Sequence, residues 1–233
     1  MLDNLDLRLY TDLKGYSQDK PNGLIQIEAR YRVLWNASPL TYLEDSNANL
    51  IMFSGVSVTV NATKIEQHTT ELPIDTTQSG LETSIVDFYR FSNGNTGIDF
   101  TLFTATSNEW QAHFRAGAGL YRTLVNEHKD DELDIVARYL RAAFVFARNE
   151  GRRIDYDFAW RWIWIVSNNK GIGFVDGNWL NQVQLTFNIH TNPEDRYSSV
   201  FFRNSYTWSD RTHDEFSVQL GYATPVSKLI GGD

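Results

Sequence analysis

The sequence contains no cysteine and few prolines, 5 in 233 residues. The absence of cysteine excludes disulfides, thiolate zinc sites, iron–sulfur clusters and cysteine nucleophiles. No apolar run approaches the roughly 18 residues that a membrane-spanning helix needs. The first residues, MLDNLDLR, carry acids where a secretory signal carries positive charge. We therefore expect a cytoplasmic protein without a membrane partner.

Composition and charge narrow the possible classes of protein. The chain has 42% hydrophobic, 21% charged and 14% aromatic residues, which is typical of a folded domain and not of a disordered tail. We expect a single domain over residues 1–233, large enough to bury a core without disulfides. The formal net charge of −8 excludes a uniformly basic nucleic-acid binder, because lysine and arginine drive binding to phosphates. A local stripe of basic residues remains compatible with this net charge.

Alternation of apolar and polar residues predicts strands over much of the chain. In Gly23–Trp35, large apolar residues alternate with glutamine, glutamate and arginine, as in a half-buried strand. Further strands are predicted at Leu50–Val60, Ser84–Phe91, Ile98–Thr106, Asn181–Thr191, Ser198–Trp208 and Phe216–Ala223.

In the middle of the chain the spacing of apolar residues changes from that of a strand to that of a helix. This spacing predicts a helix at Asp130–Asn149. Acidic residues crowd its first turn, Arg148 lies in its last turn and Gly151 follows its end. The apolar residues that recur at helical spacing are Leu133, Val136, Leu140, Ala143 and Ala147. The preceding segment, Glu109–Glu127, fits either a helix or, in its first half, a strand. With strands on either side, the order of elements predicts an α+β fold.

Residues 61–80 form a polar, threonine-rich stretch with little apolar periodicity. Long excursions from compact domains are more often functional than accidental. We expect this stretch to protrude from the domain.

A long strand with an aromatic face is predicted directly after the helix. The residues at strict period two are Ile154, Tyr156, Phe158, Trp160, Trp162, Trp164 and Val166. Such a face is more often part of a core than exposed, because aromatic residues dominate buried surfaces. Exposed rings would instead offer stacking surfaces for nucleic-acid bases.

Few residues suggest catalysis, metal binding or nucleotide binding. Asp155 and Asp157 lie two apart on the predicted strand and point to the same side, as a metal site or an acid–base pair requires, although two solvated acids are the commoner arrangement. Gly117-Ala-Gly119 lacks the third glycine of a dinucleotide site, so relief of crowding at a close contact is the better interpretation. The histidines are scattered, and we interpret them as surface residues. We therefore expect no cofactor, no metal and no enzymatic activity.

A stripe of arginines follows the predicted helix. Arg141 and Arg148 are seven positions apart and share a face, with Arg138 beside them. Arg152 and Arg153 continue the stripe into the aromatic strand. Guanidinium groups next to exposed rings are typical of single-stranded nucleic-acid binding, although the arginines can equally pair with the many acids.

Several blocks of the sequence, in order and at comparable spacing, resemble the repeated backbone subunit of type I-F CRISPR Cascade surveillance complexes. The blocks are Val33-Leu-Trp with Pro39-Leu-Thr-Tyr42, Val86-Asp-Phe88 with Phe100-Thr-Leu102, Ala137–Leu140 with Phe146–Asn149, and Val183–Phe201. Together they span most of residues 30–201. The family's portion after residue 225 has no counterpart here.

The resemblance implies a β-rich α+β fold, with an RRM-like (ferredoxin-like) palm and inserted thumb or finger segments, residues 61–80 being the thumb. It implies a non-catalytic subunit for antiviral defence that polymerises head to tail along a guide RNA, with other effector subunits and target DNA as partners. The residues expected to contact RNA are Arg138, Arg141, Arg148, Arg152, Arg153, Arg196 and Ser198.

Two rival classes are structural. One is a β-rich phage virion or tail protein, which composition does not exclude. The other is an outer-membrane barrel with ring-lined strands, which we disfavour because the helix around Leu140 has no place in its wall and the chain ends in Gly-Gly-Asp instead of an aromatic strand. An enzyme is a third class, resting only on Asp155 and Asp157.

Overall fold

The structure is a computed structural model of the chain. The residues it describes are 5–13, 25–34, 41–43, 48–64, 75–78, 80–90, 92, 94–107, 109–128, 131–148, 154–167, 172–191, 198–211 and 214–227. Within them, the chain is almost entirely β-structure. None of the helical segments in these ranges has the length and apolarity to cross a membrane.

Strands follow one another with one short helix between them. The first half contains β1 Leu5–Asp12, β2 Ile25–Leu34, β3 Thr41–Leu43, β4 Ala48–Lys64, β5 Asp75–Gln78, β6 Gly80–Thr83, α1 Ile85–Arg90 and β7 Gly94–Thr106. The second half contains β8 Trp110–His128, β9 Asp131–Arg148, β10 Ile154–Ser167, β11 Ile172–Phe174, β12 Trp179–His190, β13 Ser199–Trp208 and β14 Glu215–Pro225.

The long strands form a closed barrel. Each strand pairs antiparallel with its neighbours in the order β2-β1-β14-β13-β12-β10-β9-β8-β7-β4, and an additional β2–β4 pairing joins the two ends of this row. The result is a barrel of 10 strands. Closure leaves no free edge in the wall, so every wall strand finds hydrogen-bond partners on both sides.

The two ends of the barrel differ. At one end, which we call the turn end, the links between wall strands include residues 35–47, 107–109 and 149–153. At the opposite end, the link from β4 to β7 runs through residues 65–93, and the link from β10 to β12 runs through residues 168–178. These two long links meet where β6 pairs in parallel with β11 and β5 pairs with β6.

Helix α1 lies inside the barrel near the end with the long links. Its side chains Ile85, Val86 and Phe88 have no solvent exposure. They pack against inward-facing side chains of four wall strands, namely Tyr121, Ile135, Ala137, Tyr139, Ile163, Ile165 and Leu180. This cluster is the apolar core of the described residues and closes one end of the lumen; we call α1 with β6 the plug and this end the plugged end.

The expected α+β fold with an RRM-like palm is wrong, because the described chain forms one closed antiparallel barrel. The resemblance to the CRISPR backbone subunit is wrong for the same reason. An RRM-like palm needs helices packed on one face of an open sheet, whereas the sheet here closes on itself.

The predicted helix at 130–149 is instead β9, which pairs with β8 over residues 131–148 and with β10 over residues 137–147. The apolar residues of this segment recur at helical spacing by coincidence. The inner face of β9 is apolar where it meets the plug, and its outer face is apolar between Arg138 and Arg148. The period of two that marks a half-buried strand is therefore lost. The segment 109–127, for which a strand was one alternative, is β8.

The predicted strand at 84–91 is the helix α1. A lone strand within the lumen would leave its backbone groups unpaired, whereas a helix satisfies them internally. The first turn forms when Phe88 N donates to Ser84 O at 2.9 Å, while Ser84 Oγ accepts from Val86 N at 3.2 Å as an N-cap.

The expected protrusion at 61–80 is divided among several elements. Residues 61–64 extend β4, residues 75–78 form β5, and residue 80 begins β6. Residues 65–74 and 79 lie outside the described ranges.

Glycines in β8 let bulky side chains cross it on the inside of the barrel. Gly117 lies directly between Asp99 on β7 and Arg141 on β9. Arg141 Nε donates to Asp99 Oδ1 at 2.9 Å, and a second bond joins Arg141 Nη2 to Asp99 Oδ2. Because Gly117 has no side chain, this ion pair spans the strand. The predicted role of these glycines in relieving a close contact is confirmed.

Replacing Gly117 tests this crossing. In Gly117→Ala, the added Cβ would lie 2.1 Å from Asp99 Oδ1 and 2.5 Å from the backbone oxygen of Ile98. Since the backbone cannot move aside, we expect the free energy of unfolding to fall by about 1–3 kcal/mol, measured by urea denaturation. Gly173→Ala is the control because its Cβ meets no atom within 4 Å; equal midpoints for the two variants would contradict the crossing.

Candidate functional site: the two faces of the barrel wall

The outer face of the wall is apolar. Large hydrophobic side chains lie exposed on it, and they alternate with the inward positions of each strand. They include Leu9, Ile27, Val58, Val60, Ile98, Phe100, Leu120, Leu140, Phe144, Trp160, Phe187, Ile189, Val200, Phe202, Leu220 and Tyr222. The aromatic face of β10 belongs to this surface, and Trp160 is 41% exposed. The core interpretation of that face is therefore wrong.

The inner face of the wall is polar. The buried polar residues that alternate with the outer apolar ones include Glu28, Ser57, Thr59, Asp99, Gln182, Gln184, Thr186, Arg203, Ser205 and Thr207. A water-soluble domain has the opposite arrangement, with apolar residues inside and polar residues outside. The wall is thus inverted relative to a soluble protein.

Arginines from six strands point into the lumen; we call them the lumen arginines. They are Arg8 on β1, Arg30 and Arg32 on β2, Arg115 on β8, Arg141 on β9, Arg161 on β10 and Arg203 on β13. Three of them form ion pairs with lumen carboxylates. The pairs are Arg30–Glu28 at 3.0 Å, Arg32–Asp6 and Arg141–Asp99.

A second polar group lies nearer the turn end. His190 Nε2 and Asp155 Oδ2 are 2.6 Å apart, and Asn188 Nδ2 donates to Asp157 Oδ2 at 3.4 Å. Asp155 and Asp157 share a side as predicted, but they face the lumen and have partners. His190 is buried and not on the surface as expected. Within the described ranges, no group of three or more histidine, aspartate or glutamate side chains is placed to hold a metal.

The plug is fixed by one carboxylate. Asp176, in the link that follows β11, accepts a hydrogen bond from Ile85 N at 2.9 Å and one from Ser84 Oγ at 3.3 Å. Ser209 Oγ, beyond β13, also donates to Asp176. On the other side of α1, Arg90 pairs with Glu215 of β14 at 3.0 Å. The two ends of α1 are therefore tied to the link that follows β11 and to β14.

The described residues that were predicted to contact RNA lie on different faces of the barrel wall. Arg138 and Arg148 occupy outward positions of β9, whereas Arg141 points into the lumen and pairs with Asp99. Ser198 is buried, with its hydroxyl 3.0 Å from that of Thr224. The predicted contacts Arg152, Arg153 and Arg196 lie outside the described ranges.

The partners implied by the resemblance are wrong, and so is the expected location. A guide RNA, target DNA, head-to-tail copies and other CRISPR subunits all depended on the α+β palm, which the barrel replaces. A phage virion or tail protein is not supported either. The apolar outer face also overturns the expected cytoplasmic location without a membrane partner, because such a face is not stable in water.

Sequence reasoning missed the lumen arginines outside β9. In Gly23–Trp35 the alternation placed Glu28, Arg30 and Arg32 on one face, and that prediction of a strand is confirmed. A half-buried strand in a water-soluble protein would turn its polar face to the surrounding water, whereas here the polar face lines the lumen.

No protein-family model and no curated protein matches the chain. Among solved structures, it is similar to the β-domain of the Bordetella autotransporter BrkA, with 9% identity, a TM-score of 0.38, and 95% of this chain and 98% of that chain covered. It is also similar to a loop L8 deletion mutant of OmpT, an outer membrane protein of Vibrio cholerae (10% identity, TM-score 0.36, coverage 95% and 59%). A third is the outer membrane channel DcaP of Acinetobacter baumannii (7% identity, TM-score 0.35, coverage 94% and 71%).

Removal of the Asp176 carboxylate tests the anchoring of the plug. In Asp176→Ala, the backbone N–H of Ile85 and the Ser84 hydroxyl lose a charged acceptor, at a cost of about 1.5–3 kcal/mol. We expect amide hydrogen exchange across residues 85–90 to accelerate by about tenfold or more, while exchange in β12 stays unchanged. Asp210→Ala, at an exposed aspartate, is the control; equal exchange in both variants would contradict the anchoring role.

Proposed function

We propose that this protein is a transmembrane β-barrel of the outer-membrane type. The observation that carries the proposal is the inverted wall, apolar outside and charged inside. In a bilayer, closure of the sheet satisfies all backbone groups and outward apolar side chains meet lipid. The outer-membrane barrel that the sequence disfavoured is therefore the class that we now favour, since its main objection, the helix around Leu140, is absent.

The height of the apolar surface supports this proposal. Along β9 the outward positions are Arg138, Leu140, Ala142, Phe144, Phe146 and Arg148. Ten residues of a strand tilted by about 40° rise by about 25 Å, which is the height of the apolar band on outer-membrane barrels. Arginines at both borders of the band would reach the lipid headgroups.

Aromatic side chains at the plugged end support the same placement. Trp164 on β10 and Trp179 on β12 are cross-strand partners whose ring centroids are 6.4 Å apart. Trp208 on β13 lies beside Asn181, two residues further along β12. Rings of Trp and Tyr at the membrane–water interface are typical of transmembrane barrels.

We further propose that the plugged end faces away from the cell interior. We also propose that the barrel is neither an open pore nor an enzyme. Outer-membrane barrels keep short turns on the periplasmic side and longer loops outside. The longest link between wall strands, residues 65–93, is at the plugged end, whereas the longest at the turn end is residues 35–47. In support of a closed lumen, α1 fills that end with apolar side chains, and ion pairs cross the middle of the barrel.

A charge in the middle of the apolar band tests membrane insertion. Phe144, midway between Arg138 and Arg148, faces outward; Phe144→Arg would put a cation at the bilayer centre, at a cost of about 2–4 kcal/mol. We expect at least an approximately 30-fold fall in the fraction folded in phospholipid vesicles, measured by flotation with vesicles on a density gradient.

The matched control is Val175→Arg. Val175 is as exposed as Phe144, at 44% against 41%, but lies in the link after β11 and outside the wall. We expect this variant to insert like the wild type. Wild-type protein that folds in detergent-free buffer, or a Phe144→Arg variant that floats with vesicles normally, would contradict the proposal.

A further inference from the structure

Four of the lumen arginines lack a carboxylate partner among the described residues: Arg8, Arg115, Arg161 and Arg203. We call these the unpaired lumen arginines. The three carboxylates in the same part of the lumen, Asp6, Glu28 and Asp99, are already held by Arg32, Arg30 and Arg141. The middle of the lumen therefore carries an excess of positive charge inside a chain whose net charge is −8.

The partners that the unpaired lumen arginines do have are neutral. Arg161 Nη1 donates to the side-chain oxygens of Gln182 at 2.8 Å and Gln184 at 2.9 Å. Arg203 lies over the Tyr10 and Phe201 rings and donates to Gln219 at 3.3 Å. Such contacts orient a guanidinium group but do not neutralise it.

Arg115 is the extreme case. Its Nε is buried and has no hydrogen-bond partner within the described part of the chain. Its charge interacts with those of Arg30, Arg32 and Arg161, which repel it, and with that of Asp99, which attracts it. Asp99 is already bound by two bonds from Arg141. A buried cation with more cations than anions around it is costly unless a counter-ion joins it.

The unpaired lumen arginines surround one region of the lumen. The charge of Glu28 interacts with those of Arg8, Arg161 and Arg203, and Arg161 interacts with Arg203, Arg30 and Arg141. The Nε atoms of Arg8 and Arg203 are also buried without a hydrogen-bond partner. Donors from opposite walls of the barrel therefore converge around Glu28, and this single carboxylate cannot neutralise all of them.

Space remains beside these groups. The side chains of Arg30 and Arg141 face the lumen and still keep 22% and 17% of their surface accessible. Arg32 lies closer to the turn end, away from the plug, and its side chain is 40% accessible. Water and small solutes can thus reach the arginines from the turn end.

We propose that the lumen binds a small oxyanion of the phosphate class between Arg115, Arg161 and the neighbouring lumen arginines. Each guanidinium fork presents paired N–H donors that match two oxygens of such an anion, whereas chloride offers no such geometry. The bound anion neutralises the excess charge and gives acceptors to the unpaired Nε groups. The turn end is its entrance because the plug closes the other end.

The probe is inorganic phosphate added to the full chain folded in zwitterionic detergent micelles, with sodium chloride at equal ionic strength as the reference. We expect phosphate, and not chloride, to raise the urea midpoint in a saturable manner and to give a binding isotherm by calorimetry. In Arg115→Gln and Arg161→Gln, we expect the phosphate affinity to fall by about tenfold each. Their midpoints in chloride should match or exceed that of the wild type, because an uncompensated cation has been removed.

Arg138→Gln is the matched control, since it removes a cation from the outer face of β9 and should leave phosphate affinity unchanged. If phosphate neither raises the urea midpoint of the wild type more than chloride does nor gives a binding isotherm, the proposed site is overturned by the wild type alone. Equal affinity in the wild type, Arg115→Gln and Arg161→Gln overturns it as well. The outcome is separate from the proposed membrane location, because vesicle flotation tests the outer face and phosphate binding tests the lumen.

Discussion

The structure depends on the pairing of β2 with β4, which closes the sheet. An open sheet of these strands would expose rows of unpaired N–H and C=O groups at its edges, and these groups cost several kcal/mol each in an apolar medium. Closure removes the edges and divides every wall strand into a face toward the lumen and a face toward the surroundings. Because the two faces carry opposite chemistry, a shift of one residue in register would expose the arginines and bury the apolar side chains.

Inside this wall, the lumen is filled by three kinds of packing. The apolar core around α1 closes the plugged end, and the ion pairs of the lumen arginines cross the middle. Aromatic side chains occupy the space that glycines of neighbouring strands leave open. Tyr139, for example, lies against Gly119 and Gly97. Arginine suits the middle layer because its long stem covers apolar surface while its planar head reaches across a strand. The lumen is thereby closed at the plugged end and charged in its middle, with space left beside the arginines.

The sequence predicted individual strands well but not how they assemble. Residues 23–35, 181–191 and 198–208 alternate regularly, and each corresponds to a wall strand. Alternation alone does not tell which face of a strand meets water, so the half-buried strand predicted over residues 23–35 did not reveal that Arg30 and Arg32 line the lumen. The aromatic face of β10 was likewise interpreted as core, because in soluble proteins that assignment is usual.

The errors over β9 and α1 have a common cause. The plug supplies an apolar environment inside the barrel, so the inner face of β9 is apolar near the plugged end, and the outer face is apolar from Leu140 to Phe146. The strand therefore loses the period of two. The plug in turn contains Ile85, Val86 and Phe88, whose β-branched and aromatic side chains favour a strand when no tertiary contact is known. Contacts between distant parts of the chain, such as Ile85 N with Asp176, decide these segments, and local sequence does not contain them.

The most direct test of the inverted wall is a spin-label scan along β9 in phospholipid vesicles. The chain has no cysteine, so single substitutions to cysteine at each of residues 139–146 give unambiguous labels. We expect labels at 140, 142, 144 and 146 to collide with dissolved oxygen and to be shielded from a water-soluble nickel complex, and labels at 139, 141, 143 and 145 to be shielded from oxygen. Labels at the even positions that collide with the nickel complex, or the absence of any alternation, would contradict the account.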